Sequence, residues 1–130
     1  MEHRKVLIDT SIIIDHLRKR DKPKSMLFTI ADRFDLFVSS ITVFELYAGA
    51  TDERKKKDIE NIISTAEVIP FSTDIAKEAG ELYISLKKEN RILEIRDIFI
   101  AATAATFNLP IVTLNRDHFE RIKKIELLSL

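Results

Sequence analysis

The sequence predicts a three-layer α/β/α sandwich around a mainly parallel central sheet of four or five short strands. Short apolar runs, typical of strands that are buried on both faces, alternate with helical patterns along the whole chain. The length of 130 residues and the hydrophobic content of 45% suit one domain with a sizeable core, which we predict to span residues 1–130. No internal repeat, low-complexity segment or linker divides it.

The strands are predicted from short apolar runs that end at polar or turn-forming residues. The first four runs are each followed by a helical pattern, and the last one indicates an edge strand near the C-terminus. The predicted strands are Lys5–Ile8, Leu36–Val38, Glu67–Phe71, Ile111–Leu114 and Glu126–Leu128.

The helices are predicted from apolar residues at helical spacing and from residues that favour helix ends. The run 72–74, Ser-Thr-Asp, is a strong helix start, and Gly49 stands where a helix should end. The segment that begins at Asp97 is rich in alanine and apolar nearly all round, which predicts a buried helix before the turn 108–110. The predicted helices are 12–18, 25–34, 41–48, 51–63, 72–89, 97–107 and 118–122.

Composition excludes several classes of function. The chain has 21 basic and 21 acidic residues, so its formal net charge is +0 and any nucleic-acid site must depend on local clusters or metal ions. The absence of cysteine excludes thiol catalysis, disulfides and cysteine-type zinc sites. Acidic residues occur too early for a signal peptide, and no apolar run is long enough to span a bilayer. We therefore expect a soluble cytoplasmic protein without a membrane partner.

Acidic side chains recur where predicted strands end and helices begin. Asp9 follows the first strand, Glu45 lies about one turn into the helix after the second, and Asp97 starts the alanine-rich helix. Asn115 and Asp117 follow the fourth strand. Because the carboxyl ends of parallel strands share one edge of a sheet, these side chains can converge there.

Each of these residues also has a purely structural interpretation. Asp9 and Asn115 are good helix caps, and Asp97 and Asp117 suit the first turn of a helix. The segment 42–45 fits a capping box in which Glu45 reaches back to the backbone. Taken one at a time, these interpretations are at least as good as a functional one.

Taken together, the residues favour a metal site. The neighbours of Asp9, Glu45 and Asp97 are strongly apolar, and uncompensated charge beside apolar elements is costly. A divalent cation would compensate several clustered carboxylates, and oxygen ligands without cysteine suit Mg²⁺ or Mn²⁺. The histidines His3, His16 and His118 show no metal-ligand spacing. Acidic clusters that bind such ions commonly hydrolyse phosphodiester bonds.

Three segments, in order, resemble the motifs of one family. LIDTSIIIDHL, SSITVFELYAGA and RDIFIAATAATFNLPIVTLNRDHF are similar to the motifs of PIN domains, and more closely to those of VapC toxins of toxin–antitoxin pairs. The resemblance covers essentially the whole chain. It implies a Mg²⁺- or Mn²⁺-dependent endoribonuclease that forms a homodimer and is silenced by a VapB-type antitoxin.

The resemblance also implies roles for individual residues. The first three acids of the family match Asp9, Glu45 and Asp97, as catalytic residues and metal ligands. The fourth acidic position falls on Asn115, so either its carbonyl serves there or Asp117 takes over the charge. The polar residues that would support the metal are Thr10, Ser11 and Thr113; their alternative roles are capping and hydrogen bonding at strand ends.

Contacts to RNA would come from local basic residues. Arg91, Arg96 and Arg116 lie near the proposed site in sequence, whereas the clusters 18–20 and 55–57 are typical of solvated helix faces. A non-enzymatic alternative remains open. The chain would then keep the fold and bind RNA or a protein partner, with a metal site weakened by Asn115.

Overall fold

The computed structural model describes residues 3–91 and 93–129, so four residues of the predicted domain lie outside the described part. That 1–130 is a single domain stays a prediction. The strands are β1 (Arg4–Ile8), β2 (Phe34–Ser39), β3 (Glu67–Ile69) and β4 (Ile111–Val112). The helices are α1 (Thr10–Arg18), α2 (Met26–Ala31), α3 (Ser40–Ala48), α4 (Glu53–Ile63), α5 (Thr73–Lys88), α6 (Ile95–Phe107) and α7 (Arg116–Phe119), with a 3₁₀ turn at Lys22–Lys24.

The four strands form one parallel sheet in the order β3-β2-β1-β4. This confirms the predicted α/β fold with a parallel sheet. The predicted fifth strand is reduced to a single parallel bridge between Ile111 and Leu127. All four strands therefore direct their carboxyl ends to the same edge, where residue 9 and the start of α3 also lie.

Alternation along β1 divides the core into two layers. Leu7 packs with apolar residues of α5 and α6, whereas Val6 and Ile8 pack with those of α1, α2 and α4. Successive side chains of a strand point to opposite faces, so one short apolar run supplies both layers. All three residues are at most 1% exposed, as expected for a strand covered on both faces.

Several predicted boundaries differ from the structure. The helix 25–34 ends at Ala31, and Phe34 instead begins β2, where it pairs with Arg4 across the sheet. The alanine-rich helix begins at Ile95 rather than at Asp97, and the last short helix is Arg116–Phe119 rather than 118–122. Strands β3 and β4 are each two residues shorter than predicted. Helix-forming apolar residues and strand residues overlap in type, so element ends are the least determined by local pattern.

The turn after α6 brings β4 beside β1. Asn108 ends the helix in the left-handed conformation at φ 53°, which suits asparagine. The carbonyl of Pro110 then accepts a hydrogen bond from the Leu7 amide at 2.9 Å, and the Val112 carbonyl accepts one from Asp9 at 3.0 Å. Asp9 is thereby held at the edge of the sheet by its own backbone. No helix in the described ranges is long and apolar enough to cross a membrane.

Candidate active site

Asp9 is a buried carboxylate held by two hydroxyl groups. It stands at the N-terminal cap position of α1, but its side chain makes no capping hydrogen bond, so the carboxylate does not serve as a cap. Its Oδ2 accepts hydrogen bonds from Ser11 and Thr113, each at 2.8 Å. Asp9 is only 5% exposed, so these two donors compensate part of a charge that water barely reaches.

Glu45 is held on both of its oxygens. Oε1 accepts a hydrogen bond from Thr10 at 2.8 Å, and Oε2 accepts one from Nη1 of Arg96 at 2.8 Å. The predicted capping box is wrong, because α3 begins at Ser40 and is capped by the side chain of Ser39. Glu45 therefore points into the site rather than back to its own helix.

Asp97 is the second buried carboxylate, in the first turn of α6 and 6% exposed. Burial raises the pKa of its carboxyl above the ordinary value, and the negative charges of Asp9 and Glu94 act in the same direction. Nearby His118 and Arg96 oppose this rise. Nδ1 of His118 lies 3.2 Å from Oδ2 of Asp97. Burial is the main cause of the raised pKa, so the ionised carboxylate of Asp97 is poorly solvated.

An open cleft of about 540 Å³ joins these residues. The carboxylates of Asp9, Glu45 and Asp97 all line it, as do Thr10 and Ser11. The structure therefore brings together the three predicted acids and two of the three predicted supporting residues. The third, Thr113, reaches the site through its hydrogen bond to the carboxylate of residue 9.

The two candidates for the fourth position, Asn115 and Asp117, lie differently relative to the cleft. Asn115 lines the cleft together with His118, whereas Asp117 is exposed and does not. Residues three apart share one face of a helix, while residues two apart are turned by about 200°. The role of Asp117 stays a prediction, and its position on the other side of α7 does not support it.

Of the three arginines predicted to bind RNA, one lines the cleft and two do not. Arg96 lines the cleft, but Arg91 lies beside Glu89 at 3.6 Å and Arg116 donates to the Leu128 carbonyl at 3.3 Å, neither of them in the cleft lining. The cleft wall instead carries Arg18 from the end of α1, with Lys19 beside it. The sequence pattern of the cluster 18–20 predicts a solvated helix face, and the structure differs for Arg18 and Lys19. Ser11 and Arg18 are seven residues apart, which is two helical turns, and this spacing was the signal for their common face.

His118 is the other residue that sequence reasoning missed. Its partner Asp97 lies in another helix, 21 residues earlier in the chain, beyond the range of a local pattern. The only available signal was its spacing of three residues from Asn115 on one face of α7.

The oxygen donors of the cleft suit a hard cation, but two of the acids, Glu45 and Asp97, already face Arg96 and His118. Among residues 3–91 and 93–129, no group of three His, Cys, Asp or Glu side chains is spaced to hold a metal ion. Two buried carboxylates with carboxamide and hydroxyl oxygens nearby are nevertheless a fitting set for Mg²⁺, which keeps several waters and often takes only one or two protein carboxylates. Asp9 and Asp97 are those two.

The fold and the site define a known class. A sequence model described as PIN domain matches residues 6–125. The chain therefore belongs to the PIN-domain family. This agrees with the parallel sheet and with the three acids of the resembling motifs.

Comparison with individual proteins narrows the class. The chain is 33% identical over 132 residues to Ribonuclease VapC of Rickettsia bellii, and the match covers 96% of both chains. It is 29% identical over 126 residues to Ribonuclease VapC1 of Methanocaldococcus jannaschii, covering 97% of this chain and 87% of that protein. The crystal structure of VapBC2 from Rickettsia felis bound to a promoter DNA fragment has a TM-score of 0.82 at 26% identity, covering 95% of this chain and 96% of that one. Within the PIN-domain family, the chain is thus similar to proteins named ribonuclease VapC.

Proposed function

We propose that this chain is a metal-dependent endoribonuclease and the toxin of a toxin–antitoxin pair. The observation that carries the proposal is the pair of buried carboxylates, Asp9 and Asp97, in one open cleft at the carboxyl edge of the sheet. The relatives that are named ribonuclease VapC support the same activity. Hydrolysis of a phosphodiester needs compensation of phosphate charge and an activated water, and such a pair suits both.

Mg²⁺ or Mn²⁺ is the proposed cofactor, held by Asp9 and Asp97 with Asn115 and Glu45 nearby. The chemistry that such a cation supplies when bound is activation of water and neutralisation of phosphate charge. The chain's own residues prepare the site for it. Ser11 and Thr113 donate hydrogen bonds to Oδ2 of Asp9. Oδ1 of Asp9 accepts no hydrogen bond from any described residue. Every fully buried side-chain polar atom in the described part has a partner, so this oxygen keeps at least a small exposed area.

Basic residues on the cleft wall are the proposed contacts for the RNA backbone. Arg18 makes no hydrogen bond or ion pair with any described residue and lines the cleft on the side of α1. Arg96 also lines the cleft, from the start of α6. A phosphate chain that crosses an acidic floor needs such cationic walls, because the whole chain offers no net positive field.

The test is cleavage of a structured RNA pool by purified, antitoxin-free protein in EDTA, Mg²⁺ or Mn²⁺. We expect cleavage with the metals, none in EDTA, and none by Asp9→Asn. Asp58→Asn is the matched control, because it makes the same change on an exposed face of α4 outside the cleft. Cleavage by Asp9→Asn at the rate of the control would overturn the proposed site.

Thr113→Val tests how Asp9 is held. We expect the affinity for Mn²⁺ to fall about 10- to 100-fold, the usual cost of losing a group that orients a metal ligand. The measurement is calorimetric titration without RNA. Thr106→Val is the control, because that hydroxyl bonds only the Ala102 carbonyl of its own helix, at 2.7 Å. Equal affinities of the two variants would contradict the supporting role of Thr113.

A second candidate is a module that binds RNA or a protein without cutting. Two observations favour it: the described residues contain no ready three-residue metal group, and Glu45 and Asp97 already face Arg96 and His118. RNA binding by the wild type with no cleavage in either metal would decide for the module. Loss of cleavage in Asp97→Asn, with RNA binding retained, would decide for the enzyme.

The proposed protein partners are a VapB-type antitoxin and a second copy of the chain. The likeness to the Rickettsia felis VapBC2 structure supports the antitoxin. For the homodimer, large apolar side chains stand exposed on the neighbouring helices α3 and α6: Phe44 is 69% and Ile95 63% exposed. Light scattering on the antitoxin-free protein tests the dimer. We also propose that the pair acts in the cytoplasm.

A further inference from the structure

The carboxylate of Glu45 is already neutralised from within the chain. Oε2 meets the guanidinium of Arg96 at 2.8 Å, and Oε1 accepts from Thr10 at the same distance. By contrast, Asp9 accepts only from neutral hydroxyls among the described residues. Of the two, Glu45 is thus the acid with a permanently charged cation on it. An arginine stays protonated under all conditions of interest, so its charge cannot be titrated away.

The side chain of Arg96 is placed so that it can move away from Glu45. Its side chain is 50% exposed, and its Nε is bound to Glu94, whose own side chain is 66% exposed. The side chain of Glu45 is only 15% exposed. Arg96 can therefore turn toward solvent and stay paired with Glu94 without disturbing the core, whereas the carboxylate of Glu45 stays in the cleft.

We propose that Arg96 and the divalent cation compete for Glu45, so that Arg96 lowers the metal affinity of the centre. The inference rests on the proposed function, because it presumes the metal centre on Asp9 and Asp97. Glu45 can contribute its charge to a cation in the cleft only after its bond to the guanidinium opens. Arg96 then acts as a positioning residue that sets the threshold of metal concentration at which the site loads.

The competition follows from the charges in the cleft. Four carboxylates line the cleft: Asp9, Asp15, Glu45 and Asp97. The guanidinium bonded to one of them lowers their attraction for a cation, and partial burial limits screening by water. Arg96→Gln removes the charge and the guanidinium fork but keeps a polar, shorter side chain. With Arg96 replaced, Glu45 keeps its hydrogen bond from Thr10 but has no cationic partner, and a divalent cation is the favourable replacement.

The test is calorimetric titration of the RNA-free protein with Mn²⁺. We expect Arg96→Gln to bind Mn²⁺ at least about tenfold more tightly than the wild type, the scale of changes around metal ligands. In a Glu45→Gln background, the same replacement should change the affinity less than about threefold, because nothing remains to compete for. This double-mutant cycle isolates the pair. Circular dichroism of each variant checks that the fold is retained.

Arg18→Gln is the matched control, because Arg18 lines the same cleft but bonds to no described carboxylate. An equal gain of affinity in Arg18→Gln and Arg96→Gln, or an equal effect of Arg96→Gln with and without Glu45, would leave only general electrostatics and overturn the competition. An unchanged affinity in Arg96→Gln would overturn it as well.

The outcome for Asp9→Asn separates this inference from the proposed function. If Asp9→Asn abolishes Mn²⁺ binding and Arg96→Gln has no effect, the metal centre stands and only the competition falls. If Asp9→Asn binds Mn²⁺ like the wild type, or if the wild type binds none, the proposed metal centre falls and the competition falls with it.

Discussion

Asp97→Asn is expected to abolish RNA cleavage and at the same time to stabilise the metal-free protein. The carboxylate is one of the two proposed to hold the cation, and its loss should lower the cleavage rate by about 10²-fold or more, comparable to removing a group that acts in the transition state. The same carboxylate is a burden to the fold, because burial and the charge of Asp9 raise its pKa despite His118.

The sign of the effect on stability follows from this pKa. A carboxyl whose pKa is higher in the folded than in the unfolded state binds its proton more tightly when folded. The free energy of unfolding therefore falls as the pH rises from the ordinary aspartate value through the raised value of Asp97, and it stays lower above it. Asp97→Asn escapes this loss, so its advantage over the wild type should grow across that pH window and be complete at neutral pH.

Thermal unfolding in EDTA as a function of pH measures the stability effect. Asp74→Asn is the control, because Asp74 is an exposed acid in the first turn of α5. There the helix dipole favours the charge, so the control should lose about 0.3–1 kcal/mol. Added Mn²⁺ should raise the melting temperature of the wild type but not of Asp97→Asn. A variant that is less stable than the wild type in EDTA would contradict the argument from burial.

Phe119→Ala is expected to have the largest effect on stability. Phe119 is 0% exposed and packs in the same core layer as Leu7, Ala101 and Ile111. Truncating a fully buried phenylalanine costs about 3–5 kcal/mol, because the fold loses apolar burial and keeps part of the cavity. That is a large share of the roughly 5–15 kcal/mol that stabilises a typical domain.

The same replacement should weaken the active site. Phe119 attaches α7 to the core, and α7 presents Asn115 and His118 to the cleft. Urea unfolding measures the stability, and cleavage at low temperature measures the site in the fraction that remains folded. Phe107→Ala is the control, because that ring is 52% exposed at the end of α6 and should cost far less. A cost of less than about 1 kcal/mol for Phe119→Ala would be incompatible with the fully buried ring.

Local sequence patterns were sufficient to predict the order of the strands and helices, but they were insufficient to predict where several of them begin and end. The run 5–8 predicted β1, because a continuous apolar run can be covered on both faces. Phe34 was assigned to the wrong element, since an apolar residue one turn after Ile30 continues a helical pattern equally well. The pairing of Phe34 with Arg4 on the neighbouring strand β1 places Phe34 in strand β2 rather than in helix α2.

The sequence by itself determined the family of folds and the three acids at one edge. Asp9, Glu45 and Asp97 could be predicted because each lies at the end of a strand or in the first turns of a helix, and parallel strands end at a common edge. Only the tertiary structure decided which cations meet them. Arg96 and Glu45 are 51 residues apart in the chain and become partners because α3 and α6 pack together. A local pattern has a range of one or two turns, so pairings between distant elements, and with them the charge balance of the cleft, depend on the packed fold.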